Sequence, residues 1–237
     1  MDTRRHDLDR FYELLDDLEH AVGGRRRLGS ATGRHGWPNR GVYFVFEPGQ
    51  HRESCGDRVV RVGTHGLKTG SRSTLWGRLR QHRGTRGGGG NHRGSVFRLH
   101  VGQALAAQLD DAGVTPPATW ASGSSAARPI REREASWEAR VSDVIGAMSV
   151  LWVAVGDDPG PDSLRGYIER TCIALLSNHD RDPIDPPSPG WLGHHARAPE
   201  IRSSGLWNVN HVIEHHDPRV LDELANAIAA TVQTPPT

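Results

Sequence analysis

Two cysteines in 237 residues, Cys55 and Cys172, give this chain neither a disulfide framework nor a CxxC pair for zinc. Long apolar runs are missing too. None approaches the roughly 20 residues of a membrane span, and the N-terminus, MDTRRHDLDRF, lacks the apolar segment of a secretory signal. The expectation is a cytoplasmic protein that makes no use of a membrane. Hydrophobic residues amount to only 35%, beside 28 Gly and 15 Pro, so a modest core with long ordered loops is expected. Lysine is nearly absent: all but one of the 29 basic residues are arginine, whose planar donor fork suits bidentate contact with phosphate. The glycine-rich stretch GTRGGGGNHRG (84–94) has no GK[ST] after it, which excludes a P-loop and leaves a flexible basic loop.

The formal net charge of +1 hides an uneven distribution. Residues 1–100 hold 19 Lys+Arg and 10 Asp+Glu, whereas 101–237 hold 10 and 18. Most of the basic excess lies in 51–100, where 11 basic residues face only Glu53 and Asp57. A stretch this basic favours a polyanion, because phosphate contacts release counterions and dominate affinity. Gly41–His82 lies at its centre and gathers Tyr43, Arg58, Arg61, His65, Arg78, Arg80 and His82. A phenol among several guanidinium groups points to work on a phosphate ester.

Hydrophobic patterning supplies the elements. Residues 7–22 place Phe11, Leu14, Leu15, Leu18 and Val22 on one face of a helix. A turn-rich connector (23–40) leads to two strands, Gly41–Phe46 and Arg58–Gly63, joined by a polar loop. Ser73 or Thr74 caps a helix that runs to about Arg83. Helical spacing recurs over Ser95–Asp111 and Arg131–Gly146. The continuous apolar run MSVLWVAV (148–155) suits a central strand. Helices are also expected over Ser163–Asn178 and 218–232, with a loop-like segment rich in Pro, Trp and His at 179–216. The predicted fold class is α+β, a small three-stranded mixed sheet flanked by helices.

The order of motifs on this scaffold resembles that of the GIY-YIG nuclease family. Its first motif stands here as Gly41-Val42-Tyr43, and its second as Arg61-Val62-Gly63, with arginine in place of tyrosine. The helical arginine is matched by Arg78, and the metal-binding glutamate by Glu169 in RGYIERTCIALLSN. His82, one turn after Arg78, is shared with the family's type II restriction endonucleases, the subgroup closest in character. The resemblance implies a nuclease core over 41–180 with a helical insertion at 84–147. A helix and connector (1–40) would precede it, and a C-terminal extension (181–237) would follow. It also implies a Mg²⁺-dependent (or Mn²⁺-dependent) DNA endonuclease of restriction or phage-defence type.

By the same resemblance Tyr43 takes a proton from water or orients it. A phenol with an ordinary pKa near 10 is a poor base, so cations from Arg61, Arg78 and His82 are needed beside it. Arg78 holds the scissile phosphate, His82 relays a proton or contacts phosphate, and Glu169 is the metal ligand. Arg80, Arg83 and Arg86 are expected on backbone phosphates. Asn178, ahead of Asn208 and Asn210, is the expected late asparagine of the site. A short palindromic target would call for a homodimer. Two rivals stand beside the nuclease: a non-catalytic nucleic-acid-binding module using 51–100, and a zinc metalloprotease. The second would use His211, Glu214 and His215, which match HxxEH and require both histidines on one helical face.

Overall fold

The computed structural model describes residues 3–233. Its regular elements open with α1 (Thr3–Ala21), β1 (Arg26–Arg27), β2 (Gly41–His51), β3 (Asp57–Gly63) and α2 (Leu75–Arg83). They continue with α3 (Val96–Leu109), α4 (Arg128–Ala147), β4 (Ser149–Ala154), α5 (Leu164–Leu176), α6 (Pro199–Ser204) and α7 (Val220–Gln233). Single turns of 3₁₀-helix link several of these. Among the described residues no helix is long and apolar enough to cross a membrane.

The sheet has the order β1-β4-β2-β3 and every pairing is antiparallel, which corrects the predicted three-stranded mixed sheet. The long excursion from β3 through α2, α3 and α4 returns the chain on the far side of β2, running against it, so Tyr43 lies opposite Trp152. The connector then supplies the fourth strand, because Arg26 and Arg27 pair with the otherwise open edge of β4. Strand patterning cannot announce either the direction of a long crossover or a two-residue strand. In the hairpin the register is Tyr43↔Gly63, Phe44↔Val62 and Val45↔Arg61, with bulges beyond Val45 that carry β2 on to His51.

Both faces of the sheet are covered, which is why GVYFVF reads as a continuous apolar run. Val42, Phe44 and Phe46 join Phe11 and Leu15 of α1, Ile168 of α5 and Leu224 of α7 in one core. Tyr43 and Val45 face the other way, into a core with Leu75 and Leu79 of α2, Val101 of α3 and Trp137 of α4. Helices α3 and α4 thus cover the face that carries Tyr43. Truncating an aliphatic side chain in either core costs about 2–5 kcal/mol.

The segment at 183–216 is a strap along the outer edge of β3. Trp207 N–H donates to the Val60 carbonyl (2.7 Å). The Asn208 side chain then plays the part of a strand, accepting from Val62 N–H (3.1 Å) and donating to the Val62 carbonyl (2.8 Å). An edge that would otherwise present free backbone groups is closed in this way. The indoles of Trp191 and Trp207 both donate to one Glu47 oxygen, at 3.0 and 2.9 Å, and fasten the strap to β2.

Candidate active site

Tyr43 and Gly63 face each other across the hairpin, and the phenol ring lies directly on the glycine. A Cβ at position 63 would stand 2.3 Å from the phenol oxygen, so no larger residue fits there. From this seat Tyr43 Oη reaches His82 Nε2 at 2.7 Å. His82 closes α2 on its inner side, in line with Leu75 and Leu79, and both it and Tyr43 are buried. Its second ring nitrogen lies 2.8 Å from Ser95 Oγ, the hydroxyl that also caps α3 by accepting from Arg98 N–H. Burial drives the His82 pKa well below the usual imidazole value, and Arg61, Arg78 and Arg98 add to the fall. The ring is therefore neutral at pH 7. It donates on one side and accepts on the other, and a proton can pass along Tyr43, His82 and Ser95.

Arg61 projects from β3 on the same face as Tyr43. Its Nη1 donates to the Trp207 carbonyl (2.6 Å), and its guanidinium lies 4.9 Å from the Phe97 ring centroid. Its Nε is buried without a partner, and among the described residues no carboxylate pairs with it. Arg78, half-buried in α2, holds only Gln81 (3.2 Å).

Glu169 arrives on α5 and docks at the end of β3, where Thr64 N–H donates to its Oε1 (3.1 Å). Burial raises its pKa; Arg61, the Thr64 N–H, His211 and Arg78 pull it back. The same two guanidiniums, Arg61 and Arg78, lower the pKa of both His82 and Glu169. Glu169 lines a cleft of about 630 Å³ with Leu67, Tyr167, Arg170, His211 and Arg219. Its Oε2 has no protein partner among the described residues and is not sealed in. A carboxylate with one oxygen anchored and the other open to a roomy polar cleft fits a hydrated divalent cation, which takes one or two carboxylates from protein.

The four remaining candidates separate. Arg80 and Arg86 are exposed. Arg83 is buried, its guanidinium donating to the Ala31 and Gly84 carbonyls and lying 5.4 Å from the Trp76 ring centroid, so it secures the connector to α2. Asn178 is also buried, and it folds the turn after α5: it accepts from Ile184 N–H (3.0 Å) and Arg4 (2.9 Å) and donates to the Ile184 carbonyl (3.2 Å). The asparagine nearest the motif strands is Asn208 in the strap. Ser95, the Thr64 amide and the Trp207 carbonyl complete the surroundings. Ser95 is legible in sequence only as a helix cap.

The HxxEH stretch does not form a helix. His211 has a left-handed backbone (φ 67°), and its Nδ1 lies 2.6 Å from Glu214 Oε1, so His211 and His215 do not share a helical face. The metalloprotease alternative fails on that geometry. Among the described residues no group of three or more His, Cys, Asp or Glu is placed to hold a metal.

Comparison with known proteins agrees with the motif geometry. A family model for the GIY-YIG domain matches residues 2–234. No match was found among curated proteins or among solved structures. Members of that family are generally endonucleases that hydrolyse phosphodiesters and typically use divalent metal ions, and a nuclease domain implies DNA as substrate. With its match running over nearly the whole chain and the GVY and RVG motifs meeting at Tyr43 and Gly63 across β2 and β3, this protein belongs to the GIY-YIG family.

Proposed function

We propose that this protein is a Mg²⁺- or Mn²⁺-dependent DNA endonuclease of restriction or phage-defence type, with Tyr43, Arg61, Arg78, His82 and Glu169 as its site. One observation carries this most directly. A buried phenol–imidazole pair and a cleft carboxylate converge on the end of β3 and share two guanidiniums, neither of which has a carboxylate partner among the described residues.

In this scheme the scissile phosphate enters the cleft and takes the place of the missing counter-ion. Arg61 and Arg78 hold its non-bridging oxygens with charge-assisted hydrogen bonds. Glu169 would hold a divalent cation, which would supply Lewis acidity. Tyr43 would orient the attacking water or, as base, take its proton while the phenol's own proton moves to Nε2 of neutral His82, which keeps its Nδ1 hydrogen bond with Ser95. Tyr43 has no solvent exposure in the absence of DNA. Arg61, with its unpartnered Nε and its single bond to a carbonyl, is the side chain that an incoming phosphate would engage most readily.

Arg80 and Arg86, both exposed, contact neighbouring backbone phosphates. The insertion and the strap contribute base-reading contacts, and a palindromic target would be read by a homodimer. His82, one turn after the helical arginine, is the feature that favours the restriction-type subgroup.

The test is cleavage of sequence-diverse DNA with Mg²⁺ or Mn²⁺, with DNA binding measured in parallel. Tyr43→Phe and Glu169→Ala should each lower cleavage by about 10²–10⁴-fold while leaving DNA affinity nearly unchanged. Undiminished cleavage by both variants would refute the site. Tight binding without cleavage by the unmodified protein, across DNA that samples all short targets, would leave only a binding module.

A further inference from the structure

The HxxEH stretch, excluded as a protease motif, forms part of the wall of the Glu169 cleft. His211 lines that cleft, and it is one of the groups that offset the effect of burial on Glu169. Its Nδ1 is occupied by Glu214 at 2.6 Å, and nothing among the described residues bonds Nε2. When Nδ1–H is donated to a carboxylate, a neutral imidazole carries its lone pair on Nε2. That is the tautomer and the second-sphere arrangement in which histidine binds metals.

The turn that carries His211 is held tightly. Val212 is buried, and its carbonyl accepts from Ser177 Oγ (2.7 Å). The Glu214 carbonyl accepts from Arg181, and Glu214 Oε2 lies 3.8 Å from Arg170 Nε. Arg170, Ser177 and Arg181 all belong to α5 or the turn directly after it, so His211 and Glu169 are positioned by one scaffold. The backbone at His211 is left-handed, a conformation uncommon outside glycine though better tolerated by histidine than by β-branched residues.

We propose that His211, oriented by Glu214, is a second protein ligand for the divalent cation carried by Glu169. This rests on Glu169 being the metal-binding carboxylate of the proposed nuclease. One imidazole beside one carboxylate shifts the donor set away from the all-oxygen shell that Mg²⁺ prefers and toward Mn²⁺, Co²⁺ and Ni²⁺. The protein should accordingly bind Mn²⁺ more tightly than Mg²⁺.

Mn²⁺ is the probe, with binding titrated by the loss of the free-ion electron paramagnetic resonance signal and coordination read by pulsed measurements of ¹⁴N coupling. His211→Gly removes the ring and suits a positive φ; Glu214→Gln keeps the shape of the turn. The Mn²⁺-loaded protein should show coupling to a coordinated imidazole nitrogen. His211→Gly should abolish that coupling and weaken Mn²⁺ binding about 10–100-fold, with a smaller loss for Mg²⁺. Glu214→Gln should retain the coupling and bind Mn²⁺ more weakly than the unmodified protein. No ¹⁴N coupling in the unmodified protein, or undiminished Mn²⁺ affinity in His211→Gly, overturns the proposal. Full Mn²⁺ affinity in Glu169→Gln removes the carboxylate ligand itself, and the proposal falls with it. None of these readouts depends on DNA cleavage, so a protein that binds Mn²⁺ as expected but cuts no DNA counts against the nuclease alone.

Discussion

Two clusters of buried or half-buried arginine lie on the same side of the sheet and are treated very differently. In the insertion, Arg98 is wholly enclosed and fully engaged. It donates to Glu138 Oε2 through Nε (3.0 Å) and Nη2 (2.5 Å), to Ser142 Oγ (3.0 Å), and to the backbone carbonyls of Glu138 (2.8 Å) and His82 (3.0 Å). Burial raises the Glu138 pKa, but His92 and Arg98 outweigh it and hold the carboxyl below its usual range. Beside it Arg93 makes a bidentate pair with Glu134 at 2.6 and 2.9 Å. At the hairpin, Arg61 and Arg78 have no carboxylate partner among the described residues, and one guanidinium nitrogen of Arg61 is buried without any partner. Paired guanidiniums here hold elements together. Those without a carboxylate, Arg61 and Arg78, lower the pKa of the buried His82 beside the phenol, and in the proposed nuclease they are the groups that would receive a phosphate.

The largest expected effect comes from breaking the paired side. Glu138→Gln leaves Arg98 buried without its counter-charge and should cost about 3–5 kcal/mol of stability, measured by urea denaturation. A loss below about 1 kcal/mol, the level of an ordinary hydrogen bond, would mean that the cluster does not support the insertion.

On the unpaired side the ranking should invert. Arg61→Gln gives up one bond to a carbonyl, so stability should change by no more than about 1 kcal/mol, whereas cleavage should fall about 10²–10³-fold. An Arg61 variant that unfolds as readily as Glu138→Gln would erase the distinction between the two clusters.

The smallest effect is in pH. His65 is held down at about 4, chiefly by burial and further by Arg165, Arg78 and Arg40. Between that value and the ordinary imidazole pKa near 6.5, the unfolded chain binds a proton that the folded chain refuses. Stability from this group is therefore complete above about pH 6.5 and is lost as the pH falls toward 4. The thermal midpoint should drop over that window, and the drop should shrink in His65→Gln. An equal drop in both would place the acid sensitivity elsewhere.

Much of this was legible in the sequence, for reasons that differ from residue to residue. β-Branched and aromatic runs bounded by turns gave the hairpin and β4, and helical periodicity gave α2, α3, α4, α5 and α7, because those signals are local. Tyr43, Arg78, His82 and Glu169, the residues of the proposed site, were singled out through the order of the motifs. What failed was direction in space. Arg83 is one residue from His82 and equally basic, yet it turns inward to carbonyls that no spacing rule reveals. Asn178 follows the Glu169 helix closely but folds its own turn, whereas Asn208, 39 residues after Glu169 in the chain, reaches the motif strand. The strap was visible only as an excess of Trp, Pro and His. Its function depends on an open sheet edge, and an edge exists only once the sheet order is known.

The strap also has a consequence in time. Arg61 is held by the carbonyl of Trp207, and the outer edge of β3 is closed by Asn208, both from the strap that follows the Glu169 helix. During synthesis from the N-terminus, the phenol, the imidazole and the glutamate all emerge before the residues that set Arg61 in place. A nascent chain thus holds every reactive group of the proposed nuclease without the arrangement that would let them act together. Assembly of the proposed site is thereby deferred until the strap has been synthesised.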